Sequence, residues 1–213
     1  MTAPKPLLRG WMHLVSFPLW VVLGLTMVAV ANAAAVGTVL LLVYVVGTGT
    51  MFGVSAMYHR GRWQPQTRLL MQKFDRSAIF LAIAGGYTPI AWVCLDGWVR
   101  AAVLATAWLG AVAGIVLHWV PNVPKALRGG SYMVVSWAAL LVFPQLASGL
   151  GAVGFSLLIA GGLCYTVGAV SLATRWPNPW PQVFGFHEVF HAFTVVAAGL
   201  QFAAISYAVI PQL

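Results

Sequence analysis

The chain has 213 residues, of which 61% are hydrophobic and 7% charged, and its mean hydropathy is +0.90. A soluble domain carries about a quarter charged residues, so this chain cannot cover itself with polar surface, and a soluble globular protein is excluded. The formal net charge of +8 would suggest nucleic acid in a soluble protein. Here the basic residues sit in short loops between apolar runs, with no basic stripe of interleaved aromatics, and nucleic acid is excluded as a partner.

A membrane-spanning helix needs about 20 predominantly apolar residues. In chain order the segments that qualify are Met12–Asn32, Val36–Met57, Asp75–Leu95, Ala101–Val120, Tyr132–Ala147, Ala152–Ala173 and Phe186–Ile210. The first has a rival reading. Lys5 and Arg9, an apolar run and then Ala31-Asn32-Ala33 resemble a secretory signal with its cleavage site, but the run exceeds the usual h-region of about 7–15 residues. The fifth is the shortest, and Pro144 is expected to bend it. Turn-forming or charged pieces separate the spans, such as RGRWQPQTR, PNVPKALRGG and RWPNPWPQ. No repeat or low-complexity tract divides the chain, so residues 1–213 read as one all-α membrane domain, a seven-helix transmembrane bundle. Cys94 and Cys164 lie in separate apolar spans without a C-x-x-C pair and read as small buried hydrophobes.

Lys and Arg in the loops set the orientation. With the N-terminus in the cytoplasm, the inner set holds nine: Lys5, Arg9, Arg60, Arg62, Arg68, Lys73, Lys125, Arg128 and Arg175. The outer set holds Arg100 alone. Seven crossings then put the C-terminus outside. Trp63, Trp98, Trp119, Trp176 and Trp180 fall near the expected interfaces, where amphipathic rings accumulate.

Ionisable groups inside spans are costly, about 2.5–3.5 kcal/mol for Asp at a helix centre, and are functional by default. The acids number three, Asp75, Asp96 and Glu188, and the histidines five, His13, His59, His118, His187 and His191. His187 and His191 stand four apart, so a helix presents both on one face, the spacing by which one helix offers two imidazoles to a metal. Ser55 and His59 repeat that spacing near the end of the second span. Asp75 opens the third span in this reading, where a helix cap is its other reading. The topology brings His59, Asp75, His187 and His191 to the cytoplasmic ends of three helices, at one depth. His13 and His118 share that side of the membrane, and each is read as a solvated or core-satisfied histidine.

Together, SAMYHR at 55–60, FDRSAIFLAIAGGYTP at 74–89 and FHEVFHAF at 186–193 resemble the hemolysin III family, within the progestin and adipoQ receptor superfamily. The resemblance runs from the second span to the seventh. It implies a seven-helix membrane protein with a cytoplasmic N-terminus, in the bacterial inner membrane, with a Zn²⁺ ion held by His59, His187 and His191. It also implies that Asp75 acts on water activated at the metal, and that Ser55 supports the site. The chain departs from the family at Arg76, where hemolysin III sequences often have histidine. Eukaryotic relatives commonly carry glutamine where this chain has Glu188, which makes its H-E-x-x-H spelling incidental.

That spelling still raises an intramembrane zinc protease, because Leu95-Asp96-Gly97 matches the second motif of such enzymes. The order is reversed, however, and Asp96 follows Asp75 by 21 positions on one expected helix. At about 1.5 Å per residue that is about 30 Å, the depth of the hydrocarbon core. Three imidazoles with one open coordination position favour a water-activating metal site. Asp75 would serve as proton acceptor and donor, and Ser55 would orient the groups around it. Ceramidase activity among relatives implies hydrolysis of a lipid amide or ester, with membrane lipids as substrate or ligand. Two other classes stand beside it, a sensor of membrane lipid state with structural zinc and a cytolysin.

Overall fold

The computed structural model describes residues 5–213; residues 1–4 of the expected single domain lie outside the described residues. The chain is all-helical, with α1 Trp11–Ala31, α2 Ala35–Arg60, α3 Pro65–Cys94, α4 Gly97–Trp119, α5 Lys125–Trp137, α6 Phe143–Thr174 and α7 Phe186–Ala204. Among the described residues six apolar helical stretches are long enough to cross a membrane, one of them the 50-residue stretch Lys125–Thr174 that comprises α5 and α6. Large apolar side chains face outward on every side: Val30, Val134 and Leu141 are 76%, 74% and 87% exposed. Water would not tolerate that surface, and hydrocarbon requires it. This is a multi-pass membrane protein.

Successive helices run antiparallel. Residues near the start of α1 meet the end of α2, and Trp20 Nε1 donates to the Val45 carbonyl at 2.9 Å. Helices α2 and α3 approach most closely where Gly47 lies on the Leu81 carbonyl and Gly85 on the Val43 carbonyl. Small residues let backbones pack in lipid, where hydrophobic collapse between helices gives no drive. Trp119 at the end of α4 donates to Ser77 Oγ at 3.0 Å, and Trp108, three turns earlier, to Thr88 Oγ1 at 3.2 Å. Past Gly151, α6 runs against α7 and the wider helical turn Ile205–Val209 that follows it, with Gly168 beside Phe193, Gly161 beside Ala197 and Gly154 beside Ala208.

Two expectations are corrected. Asp75 does not open its helix. The polar loop RGRWQPQTR ends early, because Pro65 starts α3 with its fixed φ and an N–H that a first turn does not need. Asp75 therefore lies ten residues into α3, beyond the reach of the helix N-terminus, and the capping reading falls. The break expected at Pro144 lies instead in the tighter turns of Ala138–Val142. There the Tyr87 hydroxyl accepts from the Ala139 N–H at 2.9 Å and lies 3.0 and 2.9 Å from the carbonyls of Val135 and Ser136. A side chain from α3 thus satisfies the backbone groups that the broken helix frees. Pro144 sits in the first turn of α6, and a second break follows at Gly151, whose φ of 63° suits glycine.

Candidate metal centre

The end of α2 and the start of α7 meet at one end of the bundle. His59 occupies the last turn of α2, and His187 and His191 fill successive turns at the start of α7. One ligand nitrogen from each of these three histidines lies within 4.8 Å of the other two. Nε2 of His187 is 3.2 Å from Nε2 of His59, and Nδ1 of His191 is buried without a hydrogen-bond partner. A tetrahedral ion with metal–nitrogen bonds of about 2.0–2.1 Å sets its ligand nitrogens about 3.3 Å apart. The group can therefore hold a metal ion. A cation facing the orphaned nitrogen would supply the partner that burial otherwise denies it.

Asp75 and Ser55 stand outside this nitrogen group and line the same cavity, with the Ser55 hydroxyl against the Asp75 carboxyl. The cavity has a volume of about 1100 Å³. The face of α3 that lines it runs from Arg68 to Ala91, about 34 Å at 1.5 Å per residue. Its deep end is apolar, walled by Val142, Phe143, Leu146, Phe155 and Leu158. Its other end carries the histidines and a ring of cationic side chains.

Sequence reasoning missed a second set of residues. His13 was expected to be solvated or satisfied in the core. It is buried at 3% exposure, neither ring nitrogen has a partner, and its ring stacks on His191 with centroids 3.9 Å apart and planes at 10°. Nothing in the sequence signals this: His13, Trp20, Gly24 and Met27 share the one buried face of α1 at a helical spacing, but the other faces of that helix are as apolar. His118 matches its expectation, its ring nitrogens 2.9 Å from the Gly114 carbonyl and 3.0 Å from the Tyr132 hydroxyl.

The N-terminal segment lies across this end of the bundle. Leu7 and Leu8 donate their N–H groups to the carbonyls of Gln182 and Val183 at 2.9 and 3.1 Å. Lys5 donates to the His59 carbonyl, and Arg9 pairs with Glu188. Gly10 has a left-handed φ of 79° at a point where a Cβ would collide with His59, so glycine lets the segment lie this close. Partial burial first, and then Arg60, Arg68 and Arg9, hold the Lys5 ammonium below its ordinary pKa range. Glu188 is wholly buried and also accepts from the Gly185 N–H at 2.9 Å. Its carboxylate closes the first turn of α7 and anchors Arg9. Asp96 lies in the turn after α3, its side chain exposed and paired with Arg100 at 2.8 Å.

Comparison with known proteins places the chain in a family. The family model described as Haemolysin-III related matches residues 1–202. The protein named Hemolysin-3 from Bacillus cereus is 29% identical over 182 residues, covering 84% of this chain and 80% of that relative. The Hemolysin-3 homolog of Bacillus subtilis (strain 168) is 28% identical over 144 residues, covering 67% of this chain and 64% of that relative.

Proposed function

This chain belongs to the haemolysin-III related family, within the progestin and adipoQ receptor superfamily, and from that membership we propose that it is a zinc-dependent hydrolase of lipid amides or esters at the cytoplasmic side of the membrane. The observation that carries the reading is the convergence of His59, His187 and His191 at the polar end of a deep apolar cavity. An all-imidazole ligand set in a buried site suits zinc better than the oxygen-seeking Mg²⁺ or Ca²⁺. Zinc with an open coordination position supplies a Lewis acid that lowers the pKa of water towards about 7.

The chain's own residues supply the rest of the mechanism. The apolar depth of the cavity holds an acyl chain and keeps bulk water from the scissile bond. Asp75 takes a proton from the attacking water on a carboxylate oxygen. The acyl–nitrogen or acyl–oxygen bond then breaks, and Asp75 returns that proton to the departing amine or alcohol, leaving a fatty acid. Ser55, against the Asp75 carboxyl, orients it. Stacking of His13 on His191 restricts that ring to one plane, as groups behind metal ligands commonly do.

The site is cytoplasmic in this reading because the bundle crosses the membrane seven times from an inner N-terminus. Lys125–Thr174 would extend about 75 Å as one straight helix, far beyond a core of about 30 Å. The neighbours of this stretch support two crossings: Tyr132 lies beside Arg76 at one end of the bundle, Gly149 beside Cys94 at the other, and Gly168 beside Phe190 back at the first. A periplasm-active reporter fused after Leu213 should be active, and the same reporter placed between Arg60 and Arg68 silent. Activity of the inner fusion would invert the site and refute the orientation.

Lipid extract incubated with purified protein should release fatty acid, and a zinc chelator should abolish the release. Equal release with and without chelator excludes the zinc hydrolase. No release from a protein that zinc still stabilises favours the sensor, and lysis of red cells without lipid cleavage favours the activity carried in the relatives' names.

A further inference from the structure

Among the described residues seven cationic side chains line the cavity, against a single carboxylate, Asp75. Two are engaged, Arg9 by Glu188 and Lys5 by the His59 carbonyl. That leaves Arg68, Arg76, Lys125, Arg128 and Arg175. Among the described residues none of the five makes an ion pair. Arg128 gives one guanidinium nitrogen to the Val120 carbonyl at 2.8 Å, while its Nε is buried without a partner. Arg76 is half-buried on α3 immediately after Asp75. Loop cations follow from topology alone. A guanidinium that stands three turns into α3, faces the cavity and makes no ion pair does not.

We infer that this cationic mouth is a binding site for the phosphate headgroup of a single-chain or double-chain lipid whose acyl portion fills the apolar depth of the cavity. A carboxylate is satisfied by one bidentate fork. Phosphate offers more acceptor oxygens and up to two charges, and it suits several guanidinium groups at once. The acyl part follows from the cavity's reach of about 34 Å along α3 and its apolar end. This deepens the hydrolase reading by naming a substrate class, and binding does not depend on turnover.

The test is equilibrium binding to the purified chain in neutral detergent. Radiolabelled oleoyl lysophosphatidate, oleate and monooleoylglycerol share one acyl chain and differ in the head; inorganic phosphate has the head alone. Each is measured before and after metal removal by chelator. Lysophosphatidate should bind at least about ten-fold more tightly than monooleoylglycerol, the size of a charge-assisted hydrogen bond, and more tightly than oleate. That preference should survive chelation, fall about ten-fold in Arg76→Gln/Arg128→Gln, and be largely retained in Arg76→Lys. Arg100→Gln, at the far end of the bundle, should leave it intact. Metal content and elution profile of each variant verify that it has folded. Equal affinity for the phosphate-bearing and neutral lipids overturns the proposal, as does a preference that the arginine variants keep. A preference that vanishes with the metal assigns the anion to the metal. Inorganic phosphate binding as tightly as the lipid removes the acyl half. Selective binding without fatty-acid release would keep the headgroup site and discard the hydrolase; release from neutral lipids without selectivity would do the reverse.

Discussion

Asp75→Asn is expected to keep its metal and its fold and to lose lipid hydrolysis by about 10²–10⁴-fold, the range that general acid–base catalysis contributes. The substitution preserves shape and removes the capacity to take a proton. Asp75 stands outside the three-nitrogen group while lining the same cavity, so metal content should stay at the wild-type level. Ser55 would still have a polar neighbour in the amide, and thermal stability should change little. Zinc content, melting temperature and fatty-acid release measured on one preparation separate the possibilities. Loss of zinc in Asp75→Asn would make Asp75 a ligand and overturn the division of roles between carboxylate and imidazoles.

His59→Ala should behave in the opposite way and lose metal, turnover and stability together. His59 is the contribution of α2; the other two histidines belong to α7. Without it, the ion would be held by one helix alone and would no longer join the two. Metal affinity should fall by more than the roughly 10–100-fold seen when only a supporting partner of a ligand is removed. Because binding free energy of a buried ion is also folding free energy, the melting temperature should approach that of the chelated wild type. The double variant His187→Ala/His191→Ala should contain no stoichiometric zinc. Full occupancy in either variant would remove the three-histidine assignment.

Much of this was readable from residue type and position. Imidazoles and carboxylates are so scarce in this chain that each could be placed by counting spans, and the i, i+4 spacing of His187 and His191 needs only helical geometry. What stayed hidden was of two kinds. Helix α1 is apolar almost all round, so nothing in its composition marks which face turns inward, and His13 looked like an interfacial histidine until its burial was seen. Long-range pairing was equally silent: Arg9 and Glu188 are 179 positions apart, and one looked like a loop cation while the other looked like half of a protease motif. The onset of α3 was misjudged for a plainer reason. Ten polar-rich residues from Pro65 look like loop to a hydropathy count, yet they continue the helix beyond the hydrocarbon and leave Asp75 deep within it.

The N-terminal strap has a consequence for how the protein is made. Its partners, Gln182, Val183 and Glu188, are made long after it, as are two of the three clustered histidines. His59 precedes His187 by 128 positions, an interval of roughly 6–26 s at about 5–20 residues per second. Throughout that time α1 and α2 lie in the membrane with Arg9, His13 and His59 unmatched, and no metal can be captured by all three histidines. Arrival of α7 completes the strap and the histidine cluster together. A chain cut short before Phe186 would retain most of its membrane helices and still lack both, with the Arg9 guanidinium and the His59 imidazole left without the partners that α7 brings.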